Sequence, residues 1–427
     1  MIVTIARKNI LHRPLNALLA WVLLTASVAI ISLLLLLQGQ FQQKFEASIR
    51  DIDLVLGAKG SPLQLILSSI YHLDNPTGNI DYVEAQKWMK NPMVESAIPL
   101  AYGDSYRGFP IVGTTPAYLE KYAAQVEQGL VFQQKFEVVV GSEIAQKGLL
   151  TLGQEFFGTH GTAAEGEEHQ EHSYRVTGIL THTGTALDNL MLSNLESVWA
   201  MHDHEEEHEE HHTEVDEHAT NEALGSHADE TGAHLNTETG TDHESHQEIT
   251  AVLFKFRSPM AVVQWPRMLA QQTSMQLASP AVEVNRIFSL FGIGIQALIW
   301  LGWAIMGLAA MSVFVALFNA LKERRYELAL LRTLGGSRAQ LLGLLLLESL
   351  WLCTAGFVSG ILLSRLALWF IAQAAERTYR FSLDQFGFQW PGEGWLLLLT
   401  LGIGISAALL PALKAYRLDI SKTLADE

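Results

Sequence analysis

Apolar and polar positions alternate on very different scales along this 427-residue chain. Long uncharged apolar runs lie towards its two ends, and a mixed, turn-rich segment separates them. Residues 15–37 contain no charged side chain. As a helix rising about 1.5 Å per residue, that run can cross a hydrocarbon core about 30 Å thick. It follows Arg7, Lys8, His12 and Arg13, a context that signal peptides share. A signal core is only about 7–15 apolar residues and ends at a small-residue cleavage site. Here Ala26-Ser27-Val28-Ala29 is followed by further apolar or small residues through Leu37, so the run reads as a retained helix. Residues 287–321 predict a second span, 341–372 a third interrupted by Glu348 and Arg365, and 395–413 a fourth closing at Pro411. Arg365 lies near the outer end of the third span and is expected to snorkel. Glu348 is expected to lie shallow on the inner side or to pair within a dimer.

Between the first two spans the periodicity shortens. Residues 40–53 read as a continuation of the first helix, broken by Gly57-Ala58-Lys59-Gly60-Ser61-Pro62. That run lacks the spacing of a phosphate-binding P-loop and predicts a tight turn near the membrane surface. Residues 82–89 predict a helix. Strand-like runs follow at 97–102, 109–113, 137–141, 174–181 and 249–256, separated by Gly, Pro and Asn turn signals. Residues 259–276 predict a helix leading back to the second span. The fold class expected is an α-helical membrane protein with four transmembrane helices plus a mixed α+β extracytoplasmic domain.

Charge refines the topology. The chain has 28 Lys+Arg against 45 Asp+Glu, a net charge of −17. Between Arg175 and Lys255 there is no Lys or Arg and there are 18 Asp or Glu, so the remainder is near neutral and a nucleic-acid partner is excluded. Basic residues precede the first span, sit between the second and third (Lys322, Arg324, Arg325, Arg332, Arg338) and follow the fourth (Lys414, Arg417, Lys422). The positive-inside rule places all three sets, and both termini, in the cytoplasm. The expected organisation is a cytoplasmic start and first span (1–38), an extracytoplasmic domain (39–286), the second span (287–321), a cytoplasmic loop (322–340) and the third span (341–372). An outer loop (373–394), the fourth span (395–413) and a cytoplasmic tail (414–427) complete it. A single cysteine, Cys353, excludes an intramolecular disulfide framework and a Cys-based zinc knuckle.

Fourteen of the 16 histidines fall between His160 and His246. Residues 202–248 consist largely of His, Glu, Asp, Thr, Gly and Ala. Such a composition cannot bury enough surface to offset its ordering entropy, and it reads as a disordered insertion within the domain. Imidazoles and carboxylates suit Zn²⁺ and its neighbours. His202, His204, His208, His211, His212, His243 and His246 are the candidate ligands for weak, multivalent capture, with His160, His169 and His172 as a smaller cluster; a solvated insertion without ligand role is the alternative. His204 to His208 matches the HExxH pattern of metalloproteases, but composition alone produces that match in a His/Glu tract.

The loop after the second span reads Lys322-Glu-Arg-Arg-Tyr-Glu-Leu-Ala-Leu-Leu-Arg-Thr-Leu-Gly335-Gly336-Ser337-Arg338. Leu328, Leu331 and Leu334 recur at helical spacing; Gly335-Gly336 can end that helix and Ser337 can cap the next. This run resembles the loop signature of MacB/LolC/FtsX-type ABC transporter permeases. The segment Pro411 to Asp419, the four-span layout, and the pattern Tyr174-Arg-Val-Thr-Gly-Ile-Leu with Asp188-Asn189 are similar to that family as well. The resemblance implies a non-enzymatic permease subunit, forming a homodimer in the bacterial inner membrane and bound to a cytoplasmic P-loop ATPase that supplies ATP hydrolysis. Glu323, Arg324, Arg325, Glu327, Leu330, Leu331, Arg332, Gly335 and Gly336 would form the coupling segment. It implies work on a lipoprotein, a peptide or a metal-linked substrate, with a periplasmic binding protein or lipoprotein as a further partner. A signalling scaffold that activates a periplasmic hydrolase, or a zinc-linked uptake or sensing component, is the alternative. No cofactor is expected beyond Zn²⁺ at the insertion.

Overall fold

The computed structural model describes residues 14–159, 168–201, 247–323, 333, 335, 337–379 and 390–416. The chain divides into two compact units, Met1–Gln43 with Ile287–Glu427, and Lys44–Arg286.

The first unit holds the long helices. With helices numbered in chain order, α1 is Pro14–Ile49, α8 is Pro280–Glu323, α9 is Arg338–Tyr379 and α10 is Trp390–Tyr416. Each is long and apolar enough to cross a membrane. Ala20, Leu24, Val28 and Ile31 form the fully buried stripe of α1, at the three- and four-residue spacing of one helix face. Ala20 and Leu24 pack with Ala309 and Val313 of α8, Cys353 of α9 and Ala408 of α10, and Val28 and Ile31 pack with Met306 of α8 and Leu396 of α10. Gly356 and Gly360 let α9 approach α1. A Cβ at Gly356 would lie 2.8 Å from that of Leu24, and one at Gly360 2.7 Å from that of Val28. This is the small-xxx-small spacing that brings membrane helices together. Thr25 Oγ1 and Ser359 Oγ share a 2.7 Å hydrogen bond across the same contact.

The second unit is built on one mixed sheet. Its strands are β1 (Leu54–Ala58), β3 (Val94–Tyr106), β4 (Phe109–Thr114), β5 (Val126–Gly129), β6 (Glu137–Val140), β7 (Glu155–Thr159), β8 (Glu168–Leu180), β9 (Met191–Asn194), β11 (Ala251–Phe256) and β12 (Met275–Ala278). The spatial order is β12-β1-β11-β3-β4-β9-β6-β8-β5, with β7 against β3 and β8. A two-stranded ribbon pairs β2 (Ile80–Asp81) with β10 (Glu248–Ile249). Pairings β4–β9 and β6–β8 are parallel and the rest antiparallel. The 13-residue β3 joins two halves. Its first part, Val94 to Leu100, pairs with β11, and Ala101 to Tyr106 pairs with β4. Each half has its own core. Helices α3 (Tyr82–Met89) and α7 (Pro259–Gln272) cover the first, where Trp265 lies edge-on to Phe256 at 4.6 Å and to Trp88 at 5.6 Å. The second core gathers Ile111, Val138, Val140, Val176 and Tyr174 under the short α5 (Ser142–Gln146). The remaining helices are α2 (Pro62–Ser69), α4 (Ala117–Lys121) and α6, over residues 195–201.

The four-helix-plus-mixed-domain fold class stands, and several boundaries differ. Helix α1 stops at Ile49 and does not reach residue 53, because Asp51 takes a positive φ of 60° and Asp53 turns into the sheet, its N–H bonded to the Phe254 carbonyl at 2.9 Å. Gly57 and Ala58 are strand, not turn; the turn falls later, where Ser61 caps α2 by accepting from the Gln64 N–H at 3.4 Å. Helix α7 ends at Gln272, where the Thr273 hydroxyl folds back onto the Leu269 carbonyl at 3.1 Å, and Gln276 belongs to β12. Helix α10 begins at Trp390 and runs through Pro411 to Tyr416, its apolar span ending at Leu413, and α9 continues to Tyr379, so helical backbone extends into the residues between the third and fourth spans.

Candidate functional site

The segment that the family resemblance implies for coupling lies between α8 and α9. Glu323 is the last residue of α8, and the Lys322 ammonium sits 5.1 Å from the Phe318 ring centroid. Arg324, Arg325, Glu327, Leu330, Leu331, Arg332 and Gly336 lie outside the described residues. Gly335 has a φ of +97°, a region that favours glycine. Ser337 then starts α9 with a reciprocal cap: its hydroxyl accepts from the Gln340 N–H at 3.3 Å, and the Gln340 side chain accepts from the Ser337 N–H at 2.8 Å. That Ser-x-x-Gln box satisfies two of the donors a helix start leaves unpaired.

The histidines His202, His204, His208, His211, His212, His243 and His246 also lie outside the described residues. Among the described residues no group of three or more His, Cys, Asp or Glu is placed to hold a metal ion. His172 packs its ring 4.8 Å from that of Phe136.

A polar cluster joins three of the long helices. Glu393, in the first turn of α10, is 1% exposed. Its Oε1 accepts from Arg365 Nη2 of α9 at 2.7 Å and from Ser32 Oγ of α1 at 3.1 Å; Ser32 also meets Ser364 Oγ at 3.2 Å. Glu393 Oε2 and Arg365 Nη1 are buried with no hydrogen-bond partner among the described residues. Arg365 therefore does not snorkel; its side chain is 18% exposed and ion-paired inward. A charge buried in an apolar bundle needs a paired counter-charge, and such residues mark functional positions. Glu348 is likewise buried, at 6% exposure. Sequence reasoning missed Glu393 because Pro391-Gly392 reads as loop; its place between the apolar Trp390 and Trp395 was the available signal.

Asp188, part of the family-like pattern, is the centre of a second buried cluster. Its Oδ1 accepts from the Thr183 N–H at 2.8 Å, the Thr183 hydroxyl at 3.0 Å and the Ser142 hydroxyl at 3.0 Å; Oδ2 accepts from the Gly184 N–H at 2.7 Å. His182 Nδ1 lies 3.1 Å from Oδ2 and 3.4 Å from Ser142 Oγ. Serine, histidine and aspartate meet here, but not as a nucleophilic triad. A triad's imidazole uses one nitrogen for the serine and the other for the carboxylate. Here one nitrogen faces both, and the serine hydroxyl donates to the carboxylate. The cluster locks the loop 182–189 against the start of α5.

Long apolar helices with a mixed α/β domain after the first define a multi-pass membrane protein. The model for the FtsX-like permease C-terminal region matches residues 289–420, and that for the MacB-like periplasmic core domain matches residues 17–225. The chain belongs to the MacB/FtsX-type ABC transporter permeases, a family of permease subunits that implies a partner ATPase. Among solved structures it is similar to the periplasmic region of MacB from Actinobacillus actinomycetemcomitans, at 12% identity and a TM-score of 0.32, over 57% of this chain and 98% of that one. It is also similar to the extracellular domain of the noncanonic ABC-type transporter YknZ from Gram-positive bacteria, at 12% identity and a TM-score of 0.31, over 53% and 99%. The assignment rests on the two family models. No curated protein matches the chain.

Proposed function

We propose that this permease couples ATP hydrolysis by a separate cytoplasmic P-loop ATPase to motion of its 39–286 domain, held outside the bacterial inner membrane, as a homodimer. The observation that carries the reading is the permease match over 289–420, which brackets the loop from Glu323 to Gly336. Glu323, Arg324, Arg325, Glu327, Leu330, Leu331, Arg332, Gly335 and Gly336 form the docking segment. The firm cap at Ser337–Gln340 holds the start of α9, so a force on that loop would act on the helix and not fray it. The cargo is a lipoprotein, a peptide or a metal-linked substrate, received from outside the membrane with a periplasmic binding protein or lipoprotein as partner.

A mild-detergent pull-down of the tagged full chain, with mass spectrometry of its partners, tests this. A stoichiometric P-loop ATPase is expected, lost in a Glu327→Ala/Arg332→Ala variant. A dimeric preparation that carries no ATPase would contradict the reading. The histidine-rich insertion favours a metal link to the cargo. The full chain should bind several Zn²⁺ ions in calorimetry and lose them on deletion of 202–246; equal binding by both chains would remove zinc from the proposal.

A further inference from the structure

Helix α1 is continuous from Pro14 to Ile49, and its last carbonyls lack intrahelical donors. Side chains from elsewhere in the Lys44–Arg286 unit supply them. The Ser48 carbonyl accepts from Tyr122 Oη at 3.1 Å and from Lys121 Nζ at 3.4 Å. One turn earlier, the Phe45 carbonyl, still inside the helical ladder, takes a second donor from Tyr71 Oη at 3.0 Å, and the Phe45 and Tyr71 rings lie 4.5 Å apart. Burial pushes the Lys121 pKa down to about 7, and its amine can donate to the Ser48 carbonyl charged or neutral. The Lys121 ammonium lies 3.6 Å from the Tyr122 ring centroid, which fixes both.

A buried relay stands behind these donors. The Tyr122 ring meets Tyr118 edge-on at 5.2 Å. Tyr118 Oη lies 3.1 Å from His72 Nε2, and His72 Nδ1 lies 2.7 Å from Tyr102 Oη. Tyr102 donates its hydroxyl to the Ser68 carbonyl at 2.9 Å, so its oxygen accepts from His72 Nδ1–H. His72 Nε2 is then the acceptor for Tyr118. Burial supports this neutral tautomer by pushing the His72 pKa down to about 3. His72 holds a φ of +53°, a strained conformation that persists only where surroundings over-determine it. Tyr102 sits on β3, the strand shared by both halves of the sheet. The chain of contacts therefore leads from the last turn of α1 to β3, which joins the two halves of the sheet.

We infer that Tyr71, Lys121 and Tyr122 form the joint through which displacement of α1 enters the domain, with His72, Tyr102 and Tyr118 as positioning residues behind it. The inference rests on the ATPase-driven reading above. It is tested on the full chain with its co-purified ATPase in lipid nanodiscs, by amide hydrogen exchange over residues 94–114 with and without ATP and vanadate. The wild type is expected to show a nucleotide-dependent difference there. A Tyr71→Phe/Tyr122→Phe variant is expected to hydrolyse ATP and to lose that difference; Lys121→Met, which keeps the stem and removes the donor, gives the same loss should the double variant not fold. Thr114→Val is the control. It removes a buried 2.9 Å bond to the Pro99 carbonyl within the same sheet but outside the joint, and should keep the difference. A response equal in the wild type and the joint variants overturns the joint alone, as does a loss in Thr114→Val equal to theirs. A wild type with no nucleotide response overturns the ATPase-driven reading, and the joint with it.

Discussion

Asp188 and Glu393 are both buried carboxylates, and they are held in opposite ways. Asp188 accepts from Thr183 twice, from Gly184 and from Ser142, so that three of its four donors lie within five residues. Glu393 takes its donors from two other helices, Arg365 on α9 and Ser32 on α1, and leaves one oxygen without a protein partner among the described residues. A locally saturated carboxylate fixes its own loop whatever the rest of the molecule does. One held by distant helices is satisfied only while those helices keep their register. Asp188 therefore belongs to the permanent framework of the domain, whereas the Arg365–Glu393 pair depends on how three long helices are arranged.

The comparison can be broken from either side. Arg365→Met strands a buried carboxylate and should cost about 3–5 kcal/mol of stability in denaturant titration. Replacing both members, Arg365→Met/Glu393→Met, should recover most of that loss, since a buried pair exchanged for apolar groups is often near neutral. Equal losses in single and double variants would refute the pairing argument. Asp188→Asn turns an acceptor into a donor facing the Gly184 or Thr183 N–H and should cost roughly 1–3 kcal/mol, with increased exchange confined to residues 182–189. Acid should weaken the domain through His72. Its pKa is lowered from 6.5 to about 3 by burial. Between those values the unfolded chain takes up a proton that the folded one does not, so stability falls with pH from about 6.5 downward. The slope is at most about 1.4 kcal/mol per pH unit, and a His72→Asn variant should flatten that part of the melting-temperature profile. The smallest effect is expected for Ser337→Ala, about 1 kcal/mol, read as fraying of the first turn of α9 in hydrogen exchange.

The spans were legible because a membrane crossing needs a long uncharged run, and composition alone reports it. Their ends were not. Pro411 and Pro391-Gly392 are ordinary turn signals, and the helix continues past the first and begins ahead of the second. The helix at Tyr82–Met89 was legible from its pattern, with Asp81 capping it by accepting from the Glu84 N–H at 2.6 Å. Strand β1 was hidden by the glycine beside it. Residues 59–61 do turn, but Gly57 lies inside the sheet, where a side chain would strike Leu65 at 2.4 Å. Asp188 was legible through the pattern around it, although the sequence carried no sign of its donors. The relay from Ser48 to Tyr102 could not be read at all: its hydrogen-bonded members lie 30 to 74 residues apart in sequence. Arg365 was visible as a charge in an apolar run, but its partner 28 residues on was not.

An ATPase is expected to dock on the loop between α8 and α9. The most direct measurement places a photo-crosslinking residue at position 327 of the full chain in its own membrane, followed by irradiation and mass spectrometry of the adduct. A covalent adduct with a P-loop ATPase is the expected result, absent when the same probe sits at the exposed Leu130 of the domain between the spans. Adducts with lipid alone, or with an ATPase from both positions, would contradict the account.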